Sequence, residues 1–416
     1  MERLSERSVR FLHLADLHFG TETHGRIDPD SGLPSRLLDF SRSLERVLDQ
    51  ALEMEVDAVL FAGDAYRSGR PTPTQQRELA RHVERINRAG LPLLMLVGNH
   101  DLPDGRGHAN AVDVYRTLRL PNVHVVERPE TLRLETRRGP LQVACIPYPT
   151  RGKVFALPGV DPRSLTEDRI RDAMEQALSR FIQEEVQRRN PTEPLVLLAH
   201  MAVSEATLSG SERTMLLAEE PKLLRGLLIQ SGIDYVALGH IHRFQDLNPD
   251  GQPPVVYPGT LERIDFSEEK DTKGFVIVDV EPGRAKYQFF PLSCRSFVTI
   301  EMDLTGEENP TEALKTRVER ENLQGAVVRI RCTATNEQSQ ALDLKQIDQC
   351  LKEASCVTAL NITPPEEPSV RTRSQLTEAS SVAEALKTYF EQQQIPPELH
   401  DDLLDKARRL EGELDS

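Results

Sequence analysis

The sequence has no tryptophan, and aromatic residues make up 5% of its 416 positions. Cysteine is sparse as well: Cys145, Cys294, Cys332, Cys350 and Cys356 are odd in number, scattered, and without any CxxC spacing. That pattern indicates neither a disulfide framework nor a zinc knuckle and suits a reducing compartment. No uninterrupted apolar run approaches the roughly 18 residues of a membrane span, and the opening MERLSERSVR lacks the apolar core of a signal peptide. A cytoplasmic protein without a membrane partner is expected. Basic charge is in deficit, with 51 Lys plus Arg against 66 Asp plus Glu and a net charge of −15, which by itself argues against a polyanionic partner. The deficit is uneven, because residues 374–416 carry 10 acids and 4 bases. The remainder is only mildly acidic and can present local basic surface, especially around bound cations. An apolar content of 38% is low but supports sizeable cores in two or three domains and excludes a wholly disordered chain.

What is present is alternation. Over the first 290 residues short apolar runs alternate with longer amphipathic stretches, the pattern of an α/β domain. Buried strands are predicted at Val9–Leu14, Ala58–Phe61, Leu93–Val97, Leu195–Ala199 and Tyr235–Leu238. Between them Leu37, Phe40, Leu44, Val47, Leu48 and Ala51 fall at helical spacing, as do Ile170, Ala173, Ala177, Phe181 and Ile182. Ser164 and Glu167 offer a capping box for the second of these helices. From Ser296 the texture changes to a strand, helix, strand, helix, strand series (296–303, 311–322, 326–332, 343–354, 356–362), read as a small separate α/β module. The run Thr363-Pro-Pro-Glu-Glu-Pro-Ser reads as a linker. Beyond it Ser381 and Glu384 would open a helix with Val382, Leu386, Tyr389 and Phe390 on one side, and Leu399, Leu403, Ala407 and Leu410 stripe a second. Helices this short are marginal alone and need a surface to lie on.

The polar residues that follow the strands are the informative ones. Each of the five runs ends in Asp, Asn or His: Asp16 and His18, Gly63-Asp64, Gly98-Asn99-His100-Asp101, His200, and Gly239-His240-Ile241-His242. Ligands bind at the carboxyl ends of strands in α/β sheets, so five such ends imply one shared site. Taken singly, an Asp-x-His or a Gly-Asp is commonplace. The Gly-Asn-His-Asp run is more specific because glycine permits a tight turn exposing three polar side chains. In the Gly-His-Ile-His run the residues i and i+2 of an extended segment share a side, so both imidazoles can reach one centre.

In this order, each after a strand, the motifs resemble the calcineurin-like metallophosphoesterase superfamily over residues 9–290. The resemblance implies a sandwich of two central mixed sheets flanked by helices, and two divalent ions. One ion would be held by Asp16, His18, Asp64 and His242, the other by Asp64, Asn99, His200 and His240, with Asp64 bridging. A bridging carboxylate offsets the repulsion of two dications about 4 Å apart. Imidazole ligands favour manganese, iron or zinc over magnesium, and manganese is the first choice. His100 would stabilise the transition state or protonate the leaving oxygen, and Asp101 is expected to orient its imidazole.

The stretch Tyr257-Pro-Gly-Thr-Leu-Glu-Arg-Ile-Asp-Phe266, with Lys273-Gly-Phe275 after it, resembles the SbcD family, the nuclease subunits of bacterial SbcCD complexes. That resemblance implies a nuclease domain (1–292), an α/β capping domain (293–363), a linker (364–380) and a helical hairpin (381–416) that binds an SbcC-like coiled-coil ATPase through Tyr389, Phe390, Leu399 and Leu403. It further implies exonuclease and single-strand endonuclease activity on DNA in double-strand break repair. A homodimer through helices within 74–89 and 109–118, forming a heterotetramer with the ATPase, goes with it. Arg67 stands where many members have a second active-site histidine. Arg67, Arg70 and Arg263 are candidate contacts to backbone phosphates, which need only positive charge; a solvated loop is the competing reading. His13 is expected in the core, and Cys350 and Cys356 packed in the small module. Two rival functions remain open at this point: a stand-alone phosphomonoesterase or cyclic-nucleotide phosphodiesterase, and a non-catalytic scaffold on the same fold.

Overall fold

A computed structural model of the chain describes residues 3–103, 105, 107–150, 166–208, 220–230, 232–365, 400, 403, 404 and 406. Strands β1 (Val9–Leu14), β2 (Ala58–Phe61), β3 (Leu93–Leu96) and β4 (Val123–Val126) lie parallel, and β13 (Gly274–Glu281) and β14 (Arg284–Pro291) extend the sheet antiparallel beside β1, giving the order β14-β13-β1-β2-β3-β4. A second six-stranded sheet has a parallel centre of β6 (Gly139–Ile146), β7 (Leu195–His200), β10 (Tyr235–Gly239) and β12 (Val255–Tyr257). Its antiparallel edges are β5 (Glu130–Thr136) and β11 (Gln245–Asp246). Between β7 and β10 in the chain, the short strands β8 (Ala202–Val203) and β9 (Lys222–Leu223) pair with each other.

The sheets pack face to face. Phe11, Leu60 and Leu94 of the first meet Val143, Cys145, Val196, Leu198 and Tyr235 of the second in a dry layer. Both central strand sets are therefore buried on two faces, which is why they read as continuous apolar runs instead of alternating ones. Helices α1 (Ser35–Glu53) and α2 (Pro73–Arg88) cover the outer face of the first sheet with Leu37, Phe40, Leu44, Leu79 and Val83. The helix Glu167–Arg188 covers the second with Leu178 and Ile182. It is capped by Thr166, whose side chain accepts from the Arg169 N–H; the expected cap Ser164 lies outside the described residues. His13 is fully buried between the sheets, with Nδ1 3.1 Å from the Tyr235 hydroxyl and Nε2 3.2 Å from the Leu238 carbonyl.

A separate parallel sheet follows, β15 (Phe297–Asp303), β16 (Val327–Thr333) and β17 (Cys356–Thr363), crossed by the helices Pro310–Val318, Asn336–Ala341 and Leu344–Cys350. The predicted helix at 311–322 stops at Val318, and the one at 343–354 at Cys350. Ile300, Leu314, Val318, Val328, Ile330 and Ile347 form this module's own core, with Cys350 packed against it. A polar and aromatic seam joins it to the sandwich. Arg295 grips Asp39 with both ends of its guanidinium (2.5 and 2.6 Å), and the fully buried Arg36 lies between Asp39 (2.8 Å) and the Phe297 ring. Phe266 packs on Phe297 and Val327, with Cys356 at the margin. Of the expected hairpin anchors, Tyr389, Phe390 and Leu399 lie outside the described residues, and Leu403 is exposed. Among the described residues no helix is long and apolar enough to cross a membrane.

Candidate metal centre

The five strand ends β1, β2, β3, β7 and β10 finish on one edge of the sandwich, and the loops after them converge. The turns are tight enough to need glycine at two places. At Gly98 a Cβ would meet Asp64 Oδ1 at 2.1 Å, and at Gly63 (φ +96°) it would meet His200 Nδ1 at 2.4 Å. Four of the site's own side-chain residues also sit at positive φ: Asp16 (53°), His18 (46°), Asp64 (59°) and His240 (97°). Left-handed backbone at non-glycine residues costs roughly 1 kcal/mol or more each and is found where function fixes the geometry. The strain is held by the loop hydrogen bonds Asp16 N–H to Gly63 O (2.9 Å) and His18 N–H to Asp64 O (3.1 Å), and by His240 N–H, which donates to both Asp16 oxygens at 3.0 Å.

Asp16, His18, Asp64 and His200 are essentially fully buried, and His240 and His242 nearly so. Asp64 occupies the middle: its Oδ2 lies 3.7 Å from His18 Nε2 and 3.4 Å from His200 Nε2, while Oδ1 accepts from the His100 N–H at 2.8 Å. To one side stand His18, His242 and Asp16; to the other His200, His240 and Asn99.

The tautomers decide what such a cluster can hold, because the partner of one ring nitrogen determines the state of the other. His242 Nδ1–H donates to Glu268 Oε1 (2.9 Å), His200 Nδ1–H to the Ala62 carbonyl (2.6 Å), and His240 Nε2–H to Glu220 Oε2 (3.1 Å). The remaining nitrogens therefore point lone pairs inward. His242 Nε2 faces His18 Nε2 at 3.0 Å, and His200 Nε2 and His240 Nδ1 both face Asn99 Oδ1, at 2.9 and 3.0 Å. His18, whose buried Nδ1 has no hydrogen-bond partner among the described residues, can carry its proton on Nε2 towards His242. His200 Nε2 and His240 Nδ1, by contrast, are acceptors facing the acceptor Asn99 Oδ1, and in a dry site they need a cation between them. Without ions that cation is a proton: burial disfavours a charged His200, but Asp64 and Asp16 beside it outweigh that and raise it to about 9. Asp64 is correspondingly held far below the usual carboxylate range, the His200, His18 and His100 rings overcoming its burial. Divalent ions replace such protons directly, so the nitrogen and oxygen donors present fit two of them.

Two supports of this centre were not singled out from the sequence. Glu268, fully buried, holds His242 and is itself held by Lys273 Nζ at 2.8 Å, which also donates to the His242 carbonyl (3.0 Å). Burial would raise the Glu268 carboxyl, and Lys273 and His242 keep it well below its ordinary range. Glu220, at the more open side, holds His240 and accepts from the Tyr148 hydroxyl at 2.8 Å. Glu268 lies inside a Ser-Glu-Glu-Lys run that reads as solvated charge; the one signal was a lysine directly before an apolar strand.

His100 is half-buried, its ring 4.8 Å from that of His18, with Nδ1 held by the Arg67 carbonyl at 3.0 Å. Two expectations are corrected here. Asp101 does not orient His100: buried completely, it accepts from the Gly98 (3.0 Å), Tyr66 (3.0 Å) and Ala65 (3.2 Å) N–H groups and so staples the β2 and β3 loops together. Arg263 does not face a polyanion, since its guanidinium is spent on the carbonyls of Glu268, Glu269, Asp271 and Arg295. Arg67 is half-buried near His18 and His100, and Arg70 is exposed.

Residues 9–244 match the calcineurin-like phosphoesterase family. The chain is 27% identical over 289 residues to the Bacillus subtilis (strain 168) protein named uncharacterized metallophosphoesterase YhaO, covering 68% of this chain and 60% of that protein. It is 29% identical over 324 residues to the DNA double-strand break repair protein Mre11 of Haloferax volcanii, covering 77% and 60%. To the SbcD component of the SbcCD nuclease of Bacillus subtilis it is 26% identical over 281 residues, covering 66% and 67%. The match thus spans about 60% of the length of the first two.

Proposed function

The chain belongs to the calcineurin-like phosphoesterase family, and from that premise we propose that it is a two-metal DNA nuclease, an exonuclease on DNA ends and an endonuclease on single strands. The reading includes manganese as the working ion, an SbcC-like coiled-coil ATPase as partner, a homodimer within a heterotetramer, and double-strand break repair in the cytoplasm as the setting. The observation that carries it is Asp64 Oδ2 standing between two groups of inward-facing imidazole nitrogens, at 3.7 and 3.4 Å from one member of each. The relatives named as nuclease or break-repair proteins support DNA as the substrate.

Asp16, His18, Asp64 and His242 would hold one ion, and Asp64, Asn99, His200 and His240 the other. Two divalent ions so held supply positive charge against the phosphoryl oxygens and a nucleophilic water at neutral pH. The protein's own groups do the rest. Buried Asp64 and Asp16 set two negative charges against the four positive charges of two dications, which leaves the mouth attractive to a phosphodiester. His100, which donates Nδ1–H to the Arg67 carbonyl, presents the Nε2 lone pair, and it delivers a proton to the leaving oxygen only from its imidazolium form, with Nε2 protonated as well. The Arg67 guanidinium adds fixed charge for a backbone phosphate. We assign the small parallel module and the segment 381–416 to DNA and ATPase contacts, which a phosphomonoesterase would not make.

The test compares manganese-dependent cleavage of linear and single-stranded DNA with hydrolysis of a chromogenic phosphomonoester. DNA cleavage abolished by chelator and far exceeding ester hydrolysis is expected; robust ester hydrolysis with intact DNA would turn the assignment to a phosphomonoesterase. A chain ending at Glu366 is expected to keep single-strand cleavage and to lose co-purification with the ATPase.

A further inference from the structure

The segment Leu261–Lys273 touches the metal centre and the small module at neighbouring residues. Phe266–Glu268 is a single 3-10 turn. On one side of it Glu268 receives His242 Nδ1–H, the Ile264 N–H (3.1 Å) and the Lys273 ammonium. The next residue, Glu269, points to the module: Oε1 accepts from the Thr299 N–H at 3.0 Å and Oε2 from the Thr299 hydroxyl at 2.6 Å. Thr299 belongs to β15, an edge strand, so the carboxylate takes up a ladder group that no neighbouring strand reaches. Phe266 is buried against Phe297 and Val327, with the Arg329 guanidinium 4.2 Å above its ring, and Arg329 Nη2 donates to the same Thr299 hydroxyl (3.0 Å). Arg263 ties the segment to itself and to the start of the module through the Glu268, Glu269, Asp271 and Arg295 carbonyls.

The geometry points to the small module as a positioning element of the metal centre: β15, through Thr299 and Phe297, fixes the turn that presents Glu268, and Glu268 with Lys273 fixes His242. This rests on the reading of His242 as a metal ligand. The physical reason is leverage over a short path. Glu268 sits between two residues anchored on the module, so the turn cannot shift against β15 without moving the carboxylate. A ligand imidazole tolerates little rotation, which is why such outer carboxylates commonly change metal affinity 10- to 100-fold when altered.

The test is a manganese titration of the full chain, with free ion read by electron paramagnetic resonance. In the wild-type chain two ions are expected. Glu268→Gln should weaken one of them by about 10- to 100-fold and leave the other in place. Glu269→Ala and Thr299→Val, at the half-buried seam, should weaken the same ion by about threefold or more, since the effect passes through one intervening residue. Glu269→Gln, which keeps an acceptor for the Thr299 N–H, should return to within about twofold of wild type, a rescue that general loss of stability would not produce. Folded Glu269→Ala and Thr299→Val chains that bind both ions as wild type would overturn the proposal, and they decide it even where Glu268→Gln fails to fold. Asp64→Asn is the separate control: if it binds manganese as wild type, the metal reading falls and this proposal with it. If Asp64→Asn loses ions while the seam variants do not, only the proposal falls.

Discussion

His240 and His242 stand two residues apart on one loop, yet they are supported in opposite ways. His242 leans on Glu268, whose side chain is 0% exposed and neutralised by an equally buried lysine, all of it braced by a second folded unit. His240 leans on Glu220, 16% exposed and steadied by the hydroxyl of Tyr148 at the site's open side. Both are carboxylate–histidine pairs, but one lies in a dry interior where a displaced partner leaves an unpaired charge, while the other can borrow water. The comparison teaches that the two ion positions of the proposed centre would differ in kind, one resting on a carboxylate buried in the fold and the other on a carboxylate at the site's open side.

The largest expected effect comes from removing what the halves share. Asp64→Asn takes a negative charge from both positions, and elemental analysis of the desalted protein should fall from two ions to fewer than about one, whereas Asn99→Ala, touching one position, should retain about one. Equal retention in the two variants would break the bridging assignment. Next in size is His100→Asn, which should keep both ions and DNA affinity while lowering turnover by about 10² to 10⁴; unchanged turnover would make His100 structural. The asymmetry itself is sharpened by Glu220→Gln, expected to weaken its ion by less than about tenfold where Glu268→Gln exceeds that. Equal losses in one titration would erase the distinction drawn here.

The smallest effect concerns the scaffold. Burial lowers His82, wedged between α1 and α2 with Nε2 2.8 Å from the Ser41 hydroxyl, to about 4. Its folded value lies below the unfolded one, so the unfolded chain takes up a proton first and stability falls as pH drops from about 6.5 towards 4. His82→Gln should therefore flatten the loss of unfolding free energy by up to about 1.4 kcal/mol per pH unit between pH 6 and 4.5 in chelator. A slope identical to wild type would show that His82 is protonated in the folded protein.

Much of this centre could be read from the sequence because its main residues obey a local rule: each directly follows a buried strand, and strand ends of one α/β sandwich share an edge. The glycines at 63 and 98 belong to the same local grammar, since only their missing side chains let Asp64 and His200 approach. What was not legible depends on contacts between distant residues. Glu268 and Glu220 are 26 and 20 positions from the histidines they hold, inside acidic runs that look like solvated surface. Asp101 looked like a partner for its neighbour His100, but backbone donors of another loop outcompete a ring one residue away. Arg263 looked like a free cation, but its Nε, Nη1 and Nη2 groups donate to the carbonyls of Glu268, Glu269, Asp271 and Arg295 and to the Cys294 sulfur, acceptors 5 to 32 positions away in the chain. Strand positions came through nearly to the residue, while helix ends and caps, which hang on single hydrogen bonds, moved by several.

The central claim is that one carboxylate oxygen lies between two ions. Crystals grown or soaked with manganese, with diffraction data collected above and below its absorption edge, test it without reference to activity. Two anomalous peaks about 4 Å apart are expected, one beside His18 and His242, the other beside Asn99, His200 and His240, with the Asp64 carboxylate touching both. A single peak, or two peaks of which one avoids Asp64, would contradict the account.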